Sequence, residues 1–446
     1  MINIANFKSD FESFYQNIKD EKSLFRYTKK INLNKIDLPL NHKSKNIFYI
    51  SYKNNDFYFG LGECIKHQIS SRNGLLGLKD NSVNIIDYGN NPNIPIQYFG
   101  GAAFDLKSTF NNPWKNIPKG KFTIPKILIS KKNNALFISI YILNNQSKSF
   151  QNIINEYLEL FKILVPKKNK SCNNTKIHEQ NNYPNKKEYS DIFNYYINEI
   201  KNKKYNKIIL SRLKHMVTNK DLNFKQIFKN TDKNCTNFLF SLNNKYFIGS
   251  TPENLIDINN NLFTSEAIAG TYKKENKEDI KEAIKKKFLS DKKELEEHKY
   301  VSNYIYNTLK KYSNKISISE HPEILELKNL YHLKTSIKGK LNKRNHILDI
   351  VNKLYPTPAV SGYPKEYALK SIRLKEKKSR GWYSGCIGWF DINGNGRFDV
   401  SIRSGLIDNK NIYLYSGSGL IENSILNNEW LETEMKFKHL LNTITN

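Results

Sequence analysis

A mixed protein of β-hairpins and helices, of the α+β class, is what the sequence predicts, and three observations carry that expectation. Aromatic and β-branched runs bracket Asn-rich turns at 47–63, at 124–143 and around DINGNG at 391–396. Helical stretches stand at 148–164, at 189–203, from Ser290 to Tyr312 and in the closing NNEWLETEMKFKHLL. From Leu354 onward both kinds meet. Strand-like alternation with paired glycines runs into a helix carrying two glutamates and a lysine on one face.

A chain of 446 residues can bury a large core, as one big domain or as two or three smaller ones. Its 39% hydrophobic and 13% aromatic content is globular. No apolar run approaches the roughly 20 residues of a membrane span, and the acidic N-terminus lacks the apolar core of a secretory signal. Cys64, Cys172, Cys235 and Cys386 lie far apart with no CxxC pair, which suits reduced thiols in a cytoplasm and argues against zinc. The net charge of +29 suggests nucleic acid as a partner. The lysines are nevertheless scattered among acids and asparagines, as in a drifted A/T-rich genome, so neither nucleic acid nor membrane is the expected partner. A small anionic substrate is compatible with the same charge.

Taken in order, residues 1–45 read as a helix followed by a polar stretch. IFYISYKNNDFYFGLGE (47–63) reads as a hairpin, and YFGGAAFD (98–105) as closely packed backbone. IPKILIS and ALFISIYIL form a second hairpin across KKNN. Residues 167–188 hold almost no apolar side chain and read as an exposed linker. The main boundary falls there, between an N-terminal region, 1–188, and a C-terminal region, 189–446. NKIILSRL (206–213) is a strand whose period of two places Lys207, Ile209 and Ser211 on one face. KYFIGSTPENLI enters a Pro turn just before Glu253. LFTSEAIAGTYK runs into a small-residue turn at Ala269, Gly270 and Thr271. Ser290 is the expected cap of the long helix, followed by an acidic first turn. YHLKTSIKGKL is again strand-like.

Several residues bear on chemistry. Glu294 and Glu297 are neighbours on one helix face. Glu429, Glu432 and Lys436 share a sector of roughly 60° on the closing helix, beside an apolar stripe of Trp430, Phe437, Leu441 and Ile444. Singly, such an ExxE pair is ordinarily a solvated face. If the two helices face each other, four carboxylates could hold a hard cation such as Mg²⁺. Lys207 is either an edge-strand lysine or a lysine in a desolvated cleft, where burial makes an amine a usable base. Glu253 is likewise turn chemistry or a general acid. SGSGL does not complete GxGxxG, since Glu422 stands at the third glycine, but its paired N–H groups could cradle a carboxylate. DINGNG fails as an EF-hand loop because Ile402 occupies the twelfth position; a hairpin turn at Asn395-Gly396 fits better. Beyond it Asp399, Ser401 and Arg403 share one strand face, and an inward Arg403 suits a carboxylate.

Together KIILSR, FIGSTPENL, SEAIAGT, EEH, YHLKTSIKGKL, LYPTPAVSGYP, RGWYSGCIGW, SIRSGL, SGSGL and EWLETEMK resemble the chorismate-binding enzymes over about 205–441. The resemblance implies an α+β fold of large antiparallel sheets, with helices outside and the active site in a cleft between. Lysine at 207 and SEAIAGT match the branch that adds water to chorismate rather than ammonia. That favours isochorismate formation, with salicylate synthase as the alternative and anthranilate synthase a weaker third. It implies Mg²⁺ on Glu297 and Glu432, supported through water by Glu294 and Glu429, binding one substrate carboxylate. Arg403, Tyr383 and the backbone near Gly417 and Gly419 would hold the other, with Lys436 beside them. Lys207 would be the base and Glu253 the acid, with Gly270 and Thr271 lining the pocket of the departing hydroxyl. A monomer is the usual form of this branch. Three positions depart from the family pattern: Tyr355 for histidine, Arg397 for glutamate and Cys386 for proline.

Overall fold

The computed structural model describes residues 13, 23–31, 38–41, 46–80, 84–88, 95–143, 150–164, 175–275, 278–342 and 345–445. Among these, thirteen strands form one sheet and ten a second. Every pairing among the described residues is antiparallel except that of Leu24–Lys30 with Ile85–Tyr88. Local turn chemistry seeds both sheets. Ile127–Lys132 and Ala135–Leu143 pair across Asn133 and Asn134, which adopt φ +49° and +63°, as the tight turns of hairpins require and asparagine tolerates. Cys386–Asp391 pairs with Gly396–Val400. Its turn centres on Gly394 at φ +83° rather than on Asn395-Gly396, because the Asp391 carboxylate accepts from the N–H groups of Asn393 and Asn395 and closes the loop earlier.

The sheets face each other across an aromatic core. Phe48 of the larger sheet stacks on Phe99 of the smaller, with ring centroids 4.6 Å apart. The larger sheet is covered by the helices Phe150–Leu164, Phe224–Lys229 and Leu426–Thr445, whose apolar residues complete a second core. Lys292–Lys310 and Ile347–Leu354 pack on the smaller sheet. Among the described residues no helix is long and apolar enough to cross a membrane, and Cys64, Cys235 and Cys386 are free thiols.

Four local expectations change. The strand Leu24–Lys30 occupies part of the first 45 residues; the helix expected ahead of it lies largely outside the described residues. Within the polar stretch, Ile177–Tyr183 is a strand paired with Lys207–Thr218, since an open sheet edge rewards any segment that can satisfy its N–H and C=O groups. Ser290 ends the helix Glu278–Ser290. The cap of Lys292–Lys310 is Asp291, whose carboxylate accepts from the N–H groups of Lys293 and Glu294. On the closing helix Leu440 is buried more deeply than Leu441, and the half-buried Trp430 lies under the guanidinium of Arg212, 3.3 Å from its ring centroid.

Backbone ladders run across residue 188 in both sheets. Phe48–Ser51 pairs with residues 237–240, and Gln97–Ala102 pairs with Cys386–Asp391.

Candidate active site

Two chain segments pass side by side from one sheet to the other. Lys245–Thr251 belongs to the larger sheet and Asn254–Asn259 to the smaller, with Pro252 and Glu253 between them. Gly396–Val400 belongs to the smaller and Ser404–Asp408 to the larger, with Ser401, Ile402 and Arg403 between. Val400 N–H donates to Glu253 O at 3.0 Å, and Ser250 N–H to Arg403 O at 3.1 Å, so the two crossings are stitched together. A cleft opens at this seam. Glu253, Gly270, Thr271, Glu297, Tyr383, Arg403, Gly417, Gly419 and Lys436 line it, while Lys207, Glu294, Glu429 and Glu432 stand behind its wall.

Glu253 is 2% exposed, and its Oε1 has no hydrogen-bond partner. Burial pushes its carboxyl up to about 8, against the opposing pull of Lys207, Lys436 and Arg403. Burial therefore favours its protonated form.

Arg403 is not positioned by strand alternation, which stops at Val400. It adopts φ +50°, a left-handed conformation costing about 1 kcal/mol or more for a residue with a side chain. Its side chain is held by His332, which the sequence reading passed over. The His332 Nδ1–H donates to the Gly270 carbonyl at 2.7 Å, and the bare Nε2 accepts from Arg403 Nη2 at 2.8 Å. Only the neutral Nδ1–H tautomer serves both bonds. Burial, then the charge of Arg403, holds this imidazole well below its ordinary pKa. Arg403 Nη1 is buried without a partner, a donor available to a ligand in the cleft. His332 was legible only as one member of an alternating strand; nothing local marks it apart from its neighbours.

Lys207 opens the strand Lys207–Thr218, between Gly362–Tyr363 on one side and Asn411–Leu420 on the other. It is no edge-strand lysine, and it is 0% exposed. Its Nζ meets Glu297 Oε1 at 3.1 Å, at ion-pair distance but without hydrogen-bond geometry. Gly419 makes that contact possible. A Cβ there would stand 2.1 Å from Glu297 Oε1 and 3.1 Å from Lys207 Cε. Opposite Gly419, Ile209 donates its N–H to Ser361 O, and Ser211, opposite Gly417, donates to Glu376 Oε1. The polar groups of Gly417 and Gly419 therefore face away from the Lys207 strand. There the Ser404–Asp408 strand has already stopped pairing at Gly405, which leaves them to the cleft. Lys436 Nζ donates to Gly417 O at 2.8 Å. The Tyr383 ring stacks on Tyr415 with centroids 5.1 Å apart.

The acidic helix faces are buried, not solvated. Thr271 N–H donates to Glu294 Oε2 at 2.9 Å across the bulge at Gly270, where φ is +78° and a Cβ would press on that carboxylate. Lys293 reaches from the same helix to Glu429 on the closing helix. The two glutamate pairs thus face one another. Burial and then the neighbouring Glu297 raise Glu294 to about 7; burial and then Glu432 raise Glu429 to about 8. Glu297 differs. Burial raises it, but Lys207, Lys293 and Lys436 outweigh burial and hold it below the usual carboxylate range.

Four buried carboxylates, with Glu429 Oε2 unpartnered, are the hard oxygen donors that Mg²⁺ takes. As they stand, no three His, Cys, Asp or Glu side chains among the described residues converge as metal ligands. An ammonium group lies among them instead.

A family model described as chorismate binding enzyme matches residues 12–445. The chain belongs to the chorismate-binding enzymes. Isochorismate synthase MenF of Bacillus subtilis is 29% identical over 353 residues, covering 78% of this chain and 74% of that protein. A salicylate biosynthesis isochorismate synthase of Pseudomonas aeruginosa is 35% identical over a shorter stretch of 193 residues, 43% of this chain and 40% of that protein. The structure of the menaquinone-specific isochorismate synthase MenF from Escherichia coli superposes over 100% of both chains with a TM-score of 0.82 at 20% identity. Anthranilate synthase component I from Streptococcus pneumoniae gives 0.65 over 96% of each chain, at 19% identity. These structures share the fold, large antiparallel sheets with helices outside.

In this chorismate-binding enzyme the three departures from the family pattern lie off the cleft. Tyr355 is buried with Arg72 over its ring, Arg397 pairs with Asp399, and Cys386 sits in a strand against Ala102.

Proposed function

We propose that this chorismate-binding enzyme is an isochorismate synthase, adding water at ring carbon 2 of chorismate and expelling the 4-hydroxyl. The observation that carries the reading is the pairing of functions at one seam. Glu253 is an acid whose protonated form burial favours, and it senses the charge of Lys207, a buried amine behind the Glu297 wall. An acid and a base held in one water-poor site are what a hydroxyl exchange needs.

The protons balance. Lys207, once its ammonium has released a proton to solvent, takes one from the attacking water as the water oxygen bonds to carbon 2. The ring double bonds shift, the C4–O bond breaks, and Glu253 gives its proton to the departing hydroxyl, which leaves as water. In the reverse direction the carboxylate of Glu253 and the ammonium of Lys207 exchange roles.

The free Nη1 of Arg403, with Tyr383 and the strand backbone at Gly417 and Gly419, would hold one substrate carboxylate. His332 keeps the guanidinium aimed. Lys436, anchored on Gly417 O and 2.5 Å from Glu432, bridges the cleft and the acidic cluster. Gly270 and Thr271 shape the pocket for the departing hydroxyl. Glu297 and Glu432 would hold Mg²⁺, with Glu294 and Glu429 supporting through water. That ion, when bound, supplies charge for the second substrate carboxylate and competes with Lys207 for the charge of Glu297.

The test is incubation of the purified protein with chorismate and Mg²⁺, followed by chromatographic separation of products. Isochorismate alone is expected. Salicylate with pyruvate would move the reading to salicylate synthase, and a product formed only with ammonia would overturn it.

A further inference from the structure

We propose that the ammonium group of Lys293 is this enzyme's own occupant of the cation position and that a divalent ion binds only by displacing it. The inference rests on reading the four glutamates as metal ligands. Lys293 Nζ lies 3.0 Å from Glu294 Oε1, 3.0 Å from Glu429 Oε1 and 3.8 Å from Glu297 Oε2. One positive charge therefore contacts three of the four carboxylates, drawn from two helices. Four buried carboxylates without a cation would repel one another at low local dielectric. Lys293 relieves that repulsion in the protein as it stands, and the same group keeps the oxygens from closing on an ion.

The lysine is suited to leave. It sits in the first turn of Lys292–Lys310, where the helix dipole disfavours a cation, so only the carboxylates hold it. Its side chain is 25% exposed, which gives the flexible stem a route to water. Glu297 and Glu429 are 8% and 1% exposed and have no such route. When an ion arrives, Lys293 is the member of the cluster that can move. Metal affinity is thus the intrinsic affinity of the glutamates reduced by the cost of expelling an internal competitor, and the metal-free site stays assembled without an ion.

Calorimetric titration of metal-free wild type, Lys293→Gln and Glu432→Gln with MgCl₂ tests this, with Mn²⁺ titration followed by electron paramagnetic resonance as a second probe. Lys293→Gln is expected to bind at least tenfold more tightly than wild type. Its metal-free form should melt at lower temperature, with a larger rise on adding Mg²⁺. A second measurement needs no variant. Limiting acetylation of wild type, read by mass spectrometry at Lys293, should increase severalfold when Mg²⁺ is added. Equal or weaker affinity in Lys293→Gln, with Lys293 labelling unchanged by Mg²⁺, overturns the competition while leaving the metal site intact. Absence of Mg²⁺ and Mn²⁺ binding in wild type and Lys293→Gln alike overturns the ligand reading itself and the competition with it.

Discussion

Lys207 Nζ and Glu297 Oε1 meet at 3.1 Å over the bare Cα of Gly419, so a single missing side chain joins the proposed base to the proposed metal ligands. Gly419→Ala should break this junction. Its Cβ, 2.1 Å from Glu297 Oε1, forces the carboxylate or the strand to move by close to an ångström. Misplacement on that scale costs about 10²-fold in rate. Gly417→Ala meets Ile209 Cγ2 at 3.0 Å, the Tyr383 hydroxyl at 3.2 Å and the Leu210 carbonyl at 3.4 Å, none of them closer than 3.0 Å, and about a tenfold loss is expected. Steady-state turnover of the two variants gives the ratio; equal losses would contradict the argument.

Lys207→Ala should abolish water addition, a loss of about 10²–10⁴-fold in kcat, with chorismate binding in the presence of Mg²⁺ largely kept. Product chromatography and an equilibrium binding titration separate the two effects. Retained turnover would remove Lys207 from the role of base.

Glu253 sets the pH dependence. An acid raised to about 8 in the folded protein donates below that pH and is spent above it, so kcat/KM should fall as pH rises through about 8. The same shift has a stability consequence. The unfolded carboxyl ionises near its ordinary value of about 4.5 while the folded one keeps its proton. Stability is therefore full below that lower value and is lost as pH climbs towards the upper one. Glu253→Gln, inactive for lack of a proton, should melt above wild type at pH 8 and level with it at pH 4.5. Thermal melts at the two pH values decide this; a basic limb that survives far above pH 8 would assign the acid elsewhere.

Arg403→Lys keeps the charge but loses the fork that serves His332 and a ligand together. KM should rise by about tenfold or more, the worth of one charge-assisted hydrogen bond, with a smaller effect on kcat. His332→Ala should move KM in the same direction, because it releases the guanidinium rather than removing it. An Arg403→Lys variant with wild-type KM would argue against carboxylate binding at this residue.

Where an element depends on its own residues, the sequence was legible. Asn133-Asn134 makes its turn wherever the hairpin sits, and the 100° step of a helix places Glu429, Glu432 and Lys436 on one arc in any fold. The ordered motifs of the C-terminal half were specific enough to point to the family. Other features had no local signature. Asp291 rather than Ser290 caps the long helix, because the preceding helix runs into the serine. Ile177–Tyr183 is polar between its two ends and becomes a strand because Lys207–Thr218 offers it an open edge.

The sequence by itself thus determined which groups could do chemistry: an acid after a Pro turn, a lysine in a strand, and two pairs of glutamates on helix faces. The tertiary structure decided what those groups are. It set Glu253 and Arg403 at adjacent crossings between the sheets, through pairings about 150 residues apart that no local pattern records. It turned the acidic helix faces inward and seated Lys293 between them. Protonation state and ligand geometry depend on burial and on neighbours within a few ångströms, and those neighbours come from distant parts of the chain.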